Sequence, residues 1–345
     1  AAFAEDDGIA RLPNKAGELA KSLVTSKTTW VSQITGENSP NKTLSRFDVW
    51  GTDLGSMTEM NGKVYMFGGD TFSSEDSEGW RSNVLFVIDD DDPSDGLTIV
   101  DAVTDIEGHA KELLGSMKRD NVQMTVIPTD IFAIDQTLYC IYMSVKHWNP
   151  QGGSWICGFS GLAKSTDEGQ NWTKLDLRWD GNSNFIHCLV EDTLYLWGIP
   201  AGRFGGVALM KVKADEVEDG EAYEYFTGED ENGDPIWVKG SDGAAQAKVI
   251  ITEPVGEISV IYNEYLGNFI MTYLHEGKGI VMREGVTPWG EWSREYVLAS
   301  AGQYASLYGG FMCPKYVEEN GKVFYFAMSQ FFPIYNIMWM RVELP

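Results

Sequence analysis

The chain has 345 residues, 43% hydrophobic and 12% aromatic, which is enough apolar surface for a sizeable core and argues against a disordered polymer. Its 26 basic and 51 acidic residues leave a net charge of −25, which repels phosphate backbones and anionic membrane surfaces, so nucleic acid is not an expected partner. No apolar run approaches the ~20 residues that span a bilayer, so no membrane-spanning segment is predicted.

In chain order, residues 1–45 read as a leader with a short helix over 14–23, packing on one larger domain, residues 46–345. That domain opens with a short apolar stretch at 55–60. A turn and an alternating aromatic strand follow it, Asn61-Gly62-Lys63-Val64-Tyr65-Met66-Phe67. Turn residues ahead of aromatic and β-branched residues mark the return strand of a hairpin. An acidic loop at 89–92 and a segment predicting a short helix over 106–114 then form a long insertion. The same unit returns at 131–134 with Asp135-Gln136-Thr137-Leu138-Tyr139, and at 185–190 with Glu191-Asp192-Thr193-Leu194-Tyr195. It appears again at 258–262 with Leu266-Gly267-Asn268-Phe269-Ile270, and at 311–317 with Asn320-Gly321-Lys322-Val323-Phe324.

Measured between Val64, Leu138, Leu194, Phe269 and Val323, the intervals are 74, 56, 75 and 54 residues, each long enough for four strands with variable loops. Five such units predict an all-β fold, a five-bladed β-propeller, with the short apolar stretches as its innermost strands. Between the second and third units, Ser165-Thr166-Asp167-Glu168-Gly169-Gln170-Asn171-Trp172 resembles the Asp-box turn of sialidase-like propellers, with Asn171 in place of the usual Thr. There the Asp and Gly close a hairpin between outer strands and the Trp packs between blades, a structural role. The acidic stretch 216–234 reads as a solvated connection without the spacing of a calcium loop.

Cys140, Cys157, Cys188 and Cys313 lie in or beside strand-like segments without zinc-site spacing. They read as small buried hydrophobes, and a Cys140–Cys157 pair stays open. Neither a metal nor another cofactor is predicted.

Innermost propeller strands converge on the central axis, so polar residues at their leading ends meet in one pocket although far apart in sequence. Asp53, Asp130, His187, Glu257 and Tyr308 occupy such positions, and Asp70 follows the first return strand, a hairpin's distance from Asp53. Paired carboxyl groups there suit glycoside hydrolysis, which needs an acid to protonate the leaving oxygen and a carboxylate to activate water or attack directly. Each Asp flanked by Gly and Thr is also an ordinary turn-former, and His187 also reads as a hydrogen-bonded core side chain. Arg203, among small residues, either orients substrate or forms an ion pair. Aromatic residues near loops, among them Trp80, Trp148, Trp155 and Tyr335, suit either the faces of sugar rings or the packing between blades.

Taken in order, Gly51-Thr52-Asp53-Leu54-Gly55, Trp80-Arg81-Ser82-Asn83, Pro200-Ala201-Gly202-Arg203-Phe204, Glu257-Ile258-Ser259-Val260 and Tyr308-Gly309-Gly310 resemble glycoside hydrolase family 183, formerly a domain of unknown function. The resemblance runs from about Asp48 to Leu344. It implies an endo-acting hydrolase of α-linked D-arabinofuranosyl polymers on a five-bladed propeller, with Asp53 and Asp70 as the catalytic pair. Asp53 is expected as base or nucleophile and Asp70 as acid. Asp130, His187, Arg203, Glu257, Tyr308, Arg81 and Trp148 are the expected substrate-binding residues. One departure is Gly68-Gly69-Asp70-Thr71, where the resemblance implies Phe-Gly-Asp-Thr; the additional Gly suggests a bulge that re-aims Asp70. The expected partner is a polysaccharide or oligosaccharide, and the expected state is a secreted or cell-surface monomer with its signal peptide removed. The alternatives are a non-catalytic carbohydrate-binding propeller and a sialidase-like exo-glycosidase using Arg81, Arg203 and Arg283 to clamp a carboxylate.

Overall fold

Alternating side chains separated by tight turns pair as antiparallel strands, and the computed structural model, which describes residues 26–180, 184–200, 203 and 205–345, arranges them in five antiparallel sheets. Blade one comprises Leu54–Met60, Lys63–Gly68, Val84–Ile88 and Ile99–Ala102. Blade two comprises Thr125–Ile134, Thr137–Trp148, Trp155–Ser165 and Thr173–Trp179. Blade three runs from Asn184–Val190 through Thr193–Ile199 and Gly205–Lys213 to three outer strands, Glu224–Glu229, Pro235–Lys239 and Val249–Val255. Blade four is Ile258–Asn263, Asn268–His275 and Gly279–Thr287, with Gly290–Trp292 and Tyr296–Ser300 both pairing on the last of these. Blade five is Leu307–Glu318, Val323–Gln330 and Asn336–Glu343, and its outermost strand is Lys27–Gln33 from the other end of the described chain.

Neighbouring inner strands pack on one another, and that of blade five returns to blade one, so the sheets form the expected five-bladed β-propeller. The sequence units map onto it directly. Asn61 and Gly62, at φ 55° and 79°, supply the two positive-φ positions of a tight hairpin in which Met60 pairs with Lys63. Indole groups stitch successive blades together. Trp172 packs on Phe67 at 5.2 Å between blades two and one, Trp197 Nε1 donates to the Pro288 carbonyl, and Trp339 Nε1 donates to that of Pro93 beside blade one. Each buries a large apolar ring while its single N–H finds an acceptor.

Three expectations need correction or bounding. The strand Lys27–Gln33 lies within the stretch 1–45 read as a leader, so the propeller begins before residue 46. The helix expected over 14–23 lies outside the described residues. The segment 106–114 is not helical, because side chains offer its backbone other partners. The Asp105 carboxylate accepts from the N–H groups of Glu107 and His109, Gly108 sits at φ 86°, and Asn83 Oδ1 accepts from the N–H groups of Leu113 and Leu114. Cys140, Cys188 and Cys313 are buried free thiols.

Candidate active site

The leading end of the first inner strand is bent by its own backbone. Leu54 and Gly55 have φ of 69° and 108°, and the pairing slips between Leu54 and Ser56, so Gly55 is the additional residue of a bulge. The bulge suggested at Gly68-Gly69 therefore sits on the facing strand. Those two glycines serve a different purpose, since a Cβ on Gly68 would collide with Thr52 Oγ1 and one on Gly69 with Asp53 Oδ1. Their missing side chains let Asp53 lie against the return strand that carries Asp70. The hairpin is fastened by the Gly69 N–H to the Asp53 carbonyl, 3.0 Å, and by the Thr52 and Thr71 hydroxyls, 2.8 Å apart.

The two carboxyl groups are supported differently. Tyr308 donates its hydroxyl to Asp53 Oδ2 at 2.8 Å, while buried Oδ1 has no hydrogen-bond partner among the described residues. Burial, and then the nearby Asp70 charge, push the Asp53 pKa up to about 7 against the opposing hydroxyls of Tyr308 and Tyr335. Asp70 Oδ1 accepts from Trp80 Nε1 and from the Thr125 hydroxyl, both at 2.7 Å. Burial raises its pKa to about 6, less than for Asp53, because those donors and the Lys118 charge favour the carboxylate. Lys118 lies 4.1 Å from the centre of the Trp80 ring and is held by Glu112 at 2.8 Å and by the Ser82 hydroxyl. Tyr335 donates to the Asp70 backbone carbonyl at 2.8 Å.

Blades three and four complete one side. Glu257 is 6% exposed; its Oε1 accepts from Arg203 Nη2 at 2.8 Å and Nε at 3.1 Å, while its buried Oε2 has no partner among the described residues. Burial works against the Arg203 charge, but Glu257 and Glu276 outweigh it and raise the guanidinium pKa. The guanidinium stands 5.1 Å from the Tyr308 ring and 5.7 Å from the Trp155 ring, and Trp148 meets Trp155 edge-on at 5.7 Å with 37% of its surface exposed. Asp53, Asp70, Tyr308, Arg203 and Glu257 thus form one contiguous constellation, with Trp148 at its margin.

Asp130 and His187 are placed elsewhere. The second inner strand begins at Thr125, six residues before the start expected at 131, so Asp130 sits in mid-strand just after a bulge at Thr129. Its buried carboxylate accepts from the His187 backbone N–H at 2.8 Å and lies 2.7 Å from Nδ1 of that imidazole. Both line a channel cavity of ≈ 240 Å³ together with Ser56, Glu59, Cys188 and Lys315. The true leading residue of this strand, Thr125, is the one that touches Asp70. Arg81 donates to the carbonyls of Ala110 and Asp48, at 3.0 and 2.8 Å, and to the Ser73 hydroxyl, fixing the blade-one insertion instead of facing Asp53. No group of three or more His, Cys, Asp or Glu side chains among the described residues is arranged to hold a metal.

Sequence reasoning noticed Trp80 and Tyr335 only as aromatic residues near loops, and missed Thr125 and Lys118. Their contacts with Asp70 span up to 265 residues, and no local pattern encodes such contacts.

Compared with known families, residues 38–341 match one described as "Domain of unknown function (DUF4185)". No curated protein matches the sequence. Among solved structures, a Bacteroides ovatus protein provisionally assigned as a hydrolase superposes with a TM-score of 0.59 at 14% identity, covering 86% of each chain. An exo-β-1,3-galactanase variant from Phanerochaete chrysosporium with β-1,3-galactotriose gives 0.56 at 9% identity, covering 92% of this chain and 66% of that one. An enzyme of glycoside hydrolase family 43, subfamily 1, from Xanthomonas citri gives 0.51 at 11% identity, covering 95% and 92%. At these identities the likeness is one of fold.

Proposed function

We propose that this chain, which belongs to the family described as Domain of unknown function (DUF4185), is a glycoside hydrolase that cleaves α-linked D-arabinofuranosyl polymers from within, using Asp53 and Asp70. The observation that carries the reading is the unequal solvation of two coupled carboxyl groups on one hairpin, with pKa values near 7 and near 6. Burial brings both carboxyl groups into the neutral range, where one can hold a proton while the other carries charge. The choice of substrate rests on the family 183 resemblance and on the aromatic margin around the pair.

The electrostatics favour a reversal of the roles expected from sequence. Asp70, with two donors on one oxygen, is the better carboxylate and activates water or attacks the anomeric carbon. Asp53, less well solvated and beside that negative charge, retains the proton and delivers it to the leaving oxygen. Asp53 Oδ1, unpartnered among the described residues while Oδ2 accepts from Tyr308, is the oxygen left to carry that proton, and Glu257 Oε2, likewise buried without a partner there, is an acceptor for a sugar hydroxyl. A sialidase-like clamp has no support. Arg81 is bound to backbone carbonyls, Arg203 to Glu257, and Arg283 to the Tyr273 hydroxyl and the Ser293 carbonyl. A polymer of this kind does not cross membranes, so the reading also places the protein outside the cytoplasm.

The test is digestion of arabinogalactan followed by sizing of the products. Early release of mixed oligosaccharides is expected, with a bell-shaped rate profile that falls below about pH 6 as Asp70 protonates and above about pH 7 as Asp53 ionises. Polymer that is bound yet never shortened would make the protein a carbohydrate-binding propeller instead.

A further inference from the structure

Between strands Val323–Gln330 and Asn336–Glu343 the chain runs Phe331-Phe332-Pro333-Ile334-Tyr335, an apolar turn on the face of the propeller that carries Asp53 and Asp70. Phe331 is 68% exposed, Phe332 66% and Ile334 40%. Large apolar side chains grouped in this way mark a binding surface, whereas single exposed ones do not. The turn is also held in place. The Phe331 N–H donates to the Ser306 carbonyl at 3.0 Å, the Phe331 ring meets Tyr335 edge-on at 5.8 Å, and Tyr335 is tied to the Asp70 carbonyl. Tyr335, through its ring contact with Phe331 and its hydrogen bond to Asp70, therefore links the turn to the candidate catalytic hairpin.

We propose that Phe331 and Phe332 form an aromatic platform for a neutral glycan chain, carrying sugar residues that extend beyond the one being cleaved. The inference rests on the hydrolase reading and adds to it the place where the polymer lies. Sugar rings offer apolar C–H faces that pack on aromatic planes, and a pinned turn loses little freedom when it binds. The occupant is argued from the continuity of the platform with the carboxyl pair and from charge. At −25 the protein repels anionic lipid and nucleic acid, and it repels a second copy of itself, whereas an uncharged polysaccharide meets no such field. Trp148 joins the constellation through Trp155 and Arg203, whereas Phe331 joins it through Tyr335, so the two aromatic regions meet the carboxyl pair through different residues.

The experiment is affinity electrophoresis in gels containing arabinogalactan, comparing the parent protein with the double variant Phe331→Ala/Phe332→Ala. Ile236→Ala serves as the control, an exposed apolar side chain on the outer part of blade three. The double variant should bind the polymer roughly tenfold more weakly, with KM for polymer raised and kcat little changed, while the control migrates as the parent does. Both sites are exposed, so the fold should survive, and an unchanged melting temperature checks this. Retention of the double variant equal to that of the parent overturns the platform, as does a parent dimer that the double substitution dissolves. Cleavage by the double variant with KM for polymer equal to that of the parent sinks this inference alone. Retention that needs the platform in a protein that cleaves nothing sinks the hydrolase reading alone, and absence of both retention and cleavage sinks the two together.

Discussion

Asp167 and Asp53 are both Gly-associated aspartates at the ends of propeller strands, and the fold uses them in opposite ways. Asp167, exposed in the outer turn of blade two, is fully engaged: Oδ1 accepts from the Ser165 hydroxyl and the Asn171 N–H, and Oδ2 accepts from the Asn171 amide. Those bonds hold its carboxyl below the usual range. Asp53, mostly buried at the inner end of blade one, has one oxygen without a hydrogen-bond partner among the described residues, and its pKa rises to about 7. A hydrogen-bonded carboxylate stabilises the protein, whereas a desolvated one is maintained at the expense of stability and is available for chemistry.

The sharpest break in this comparison is functional. Asp53→Asn and Asp70→Asn should each lower kcat on arabinogalactan by roughly a hundred- to ten-thousand-fold without lowering the melting temperature. If either variant unfolds, that aspartate belongs with Asp167 as a turn-former. Gly69→Ala comes next. The backbone of Gly69 lies outside the left-handed region, but the new methyl collides with Asp53 Oδ1. Misplacing that carboxyl should cost about tenfold to a hundredfold in kcat while the fold is kept, as circular dichroism and kinetics together would show.

Asp167→Ala is the converse and has a smaller effect. It should lower Tm by roughly 2–4 °C and leave the turnover of the folded protein unchanged. The smallest effect lies in the pH dependence of stability. The Asp53 pKa is raised on folding, so its charging weakens the fold as pH climbs from about 4 through about 7, and Asn at this position should remove that decline. The Asp167 pKa is lowered, so its contribution is lost as pH falls, and Asp167→Asn should narrow the gap to the parent in acid. Melting curves across pH 3 to pH 8 separate the two; identical pH profiles would erase the distinction.

The inner strands and their return strands were legible because turn residues and alternating aromatics repeat locally, and the Asp-box-like turn read correctly down to Trp172 packing against Phe67. Asp53, Glu257 and Tyr308 were found because they stand where three inner strands begin. Asp130 was misplaced for the same reason: the apolar stretch from 131 hid a strand that starts at Thr125 and bends at Thr129. Asn83 and Asp105 defeated the helix expected at 106–114 by side-chain hydrogen bonds that no periodicity records.

The pairing of Lys27–Gln33 with Asn336–Glu343 has a bearing on how the molecule is completed. The blade that supplies Tyr308 and Tyr335 is also the seam where distant parts of the chain meet, whereas blades one to four draw only on neighbouring sequence. Bringing such remote segments together is the slow step for a chain of this topology. The strand that closes the ring, Lys27–Gln33, therefore lies at the outer edge of the blade whose inner edge carries Tyr308, so four blades and that inner edge can stand before the seam is closed.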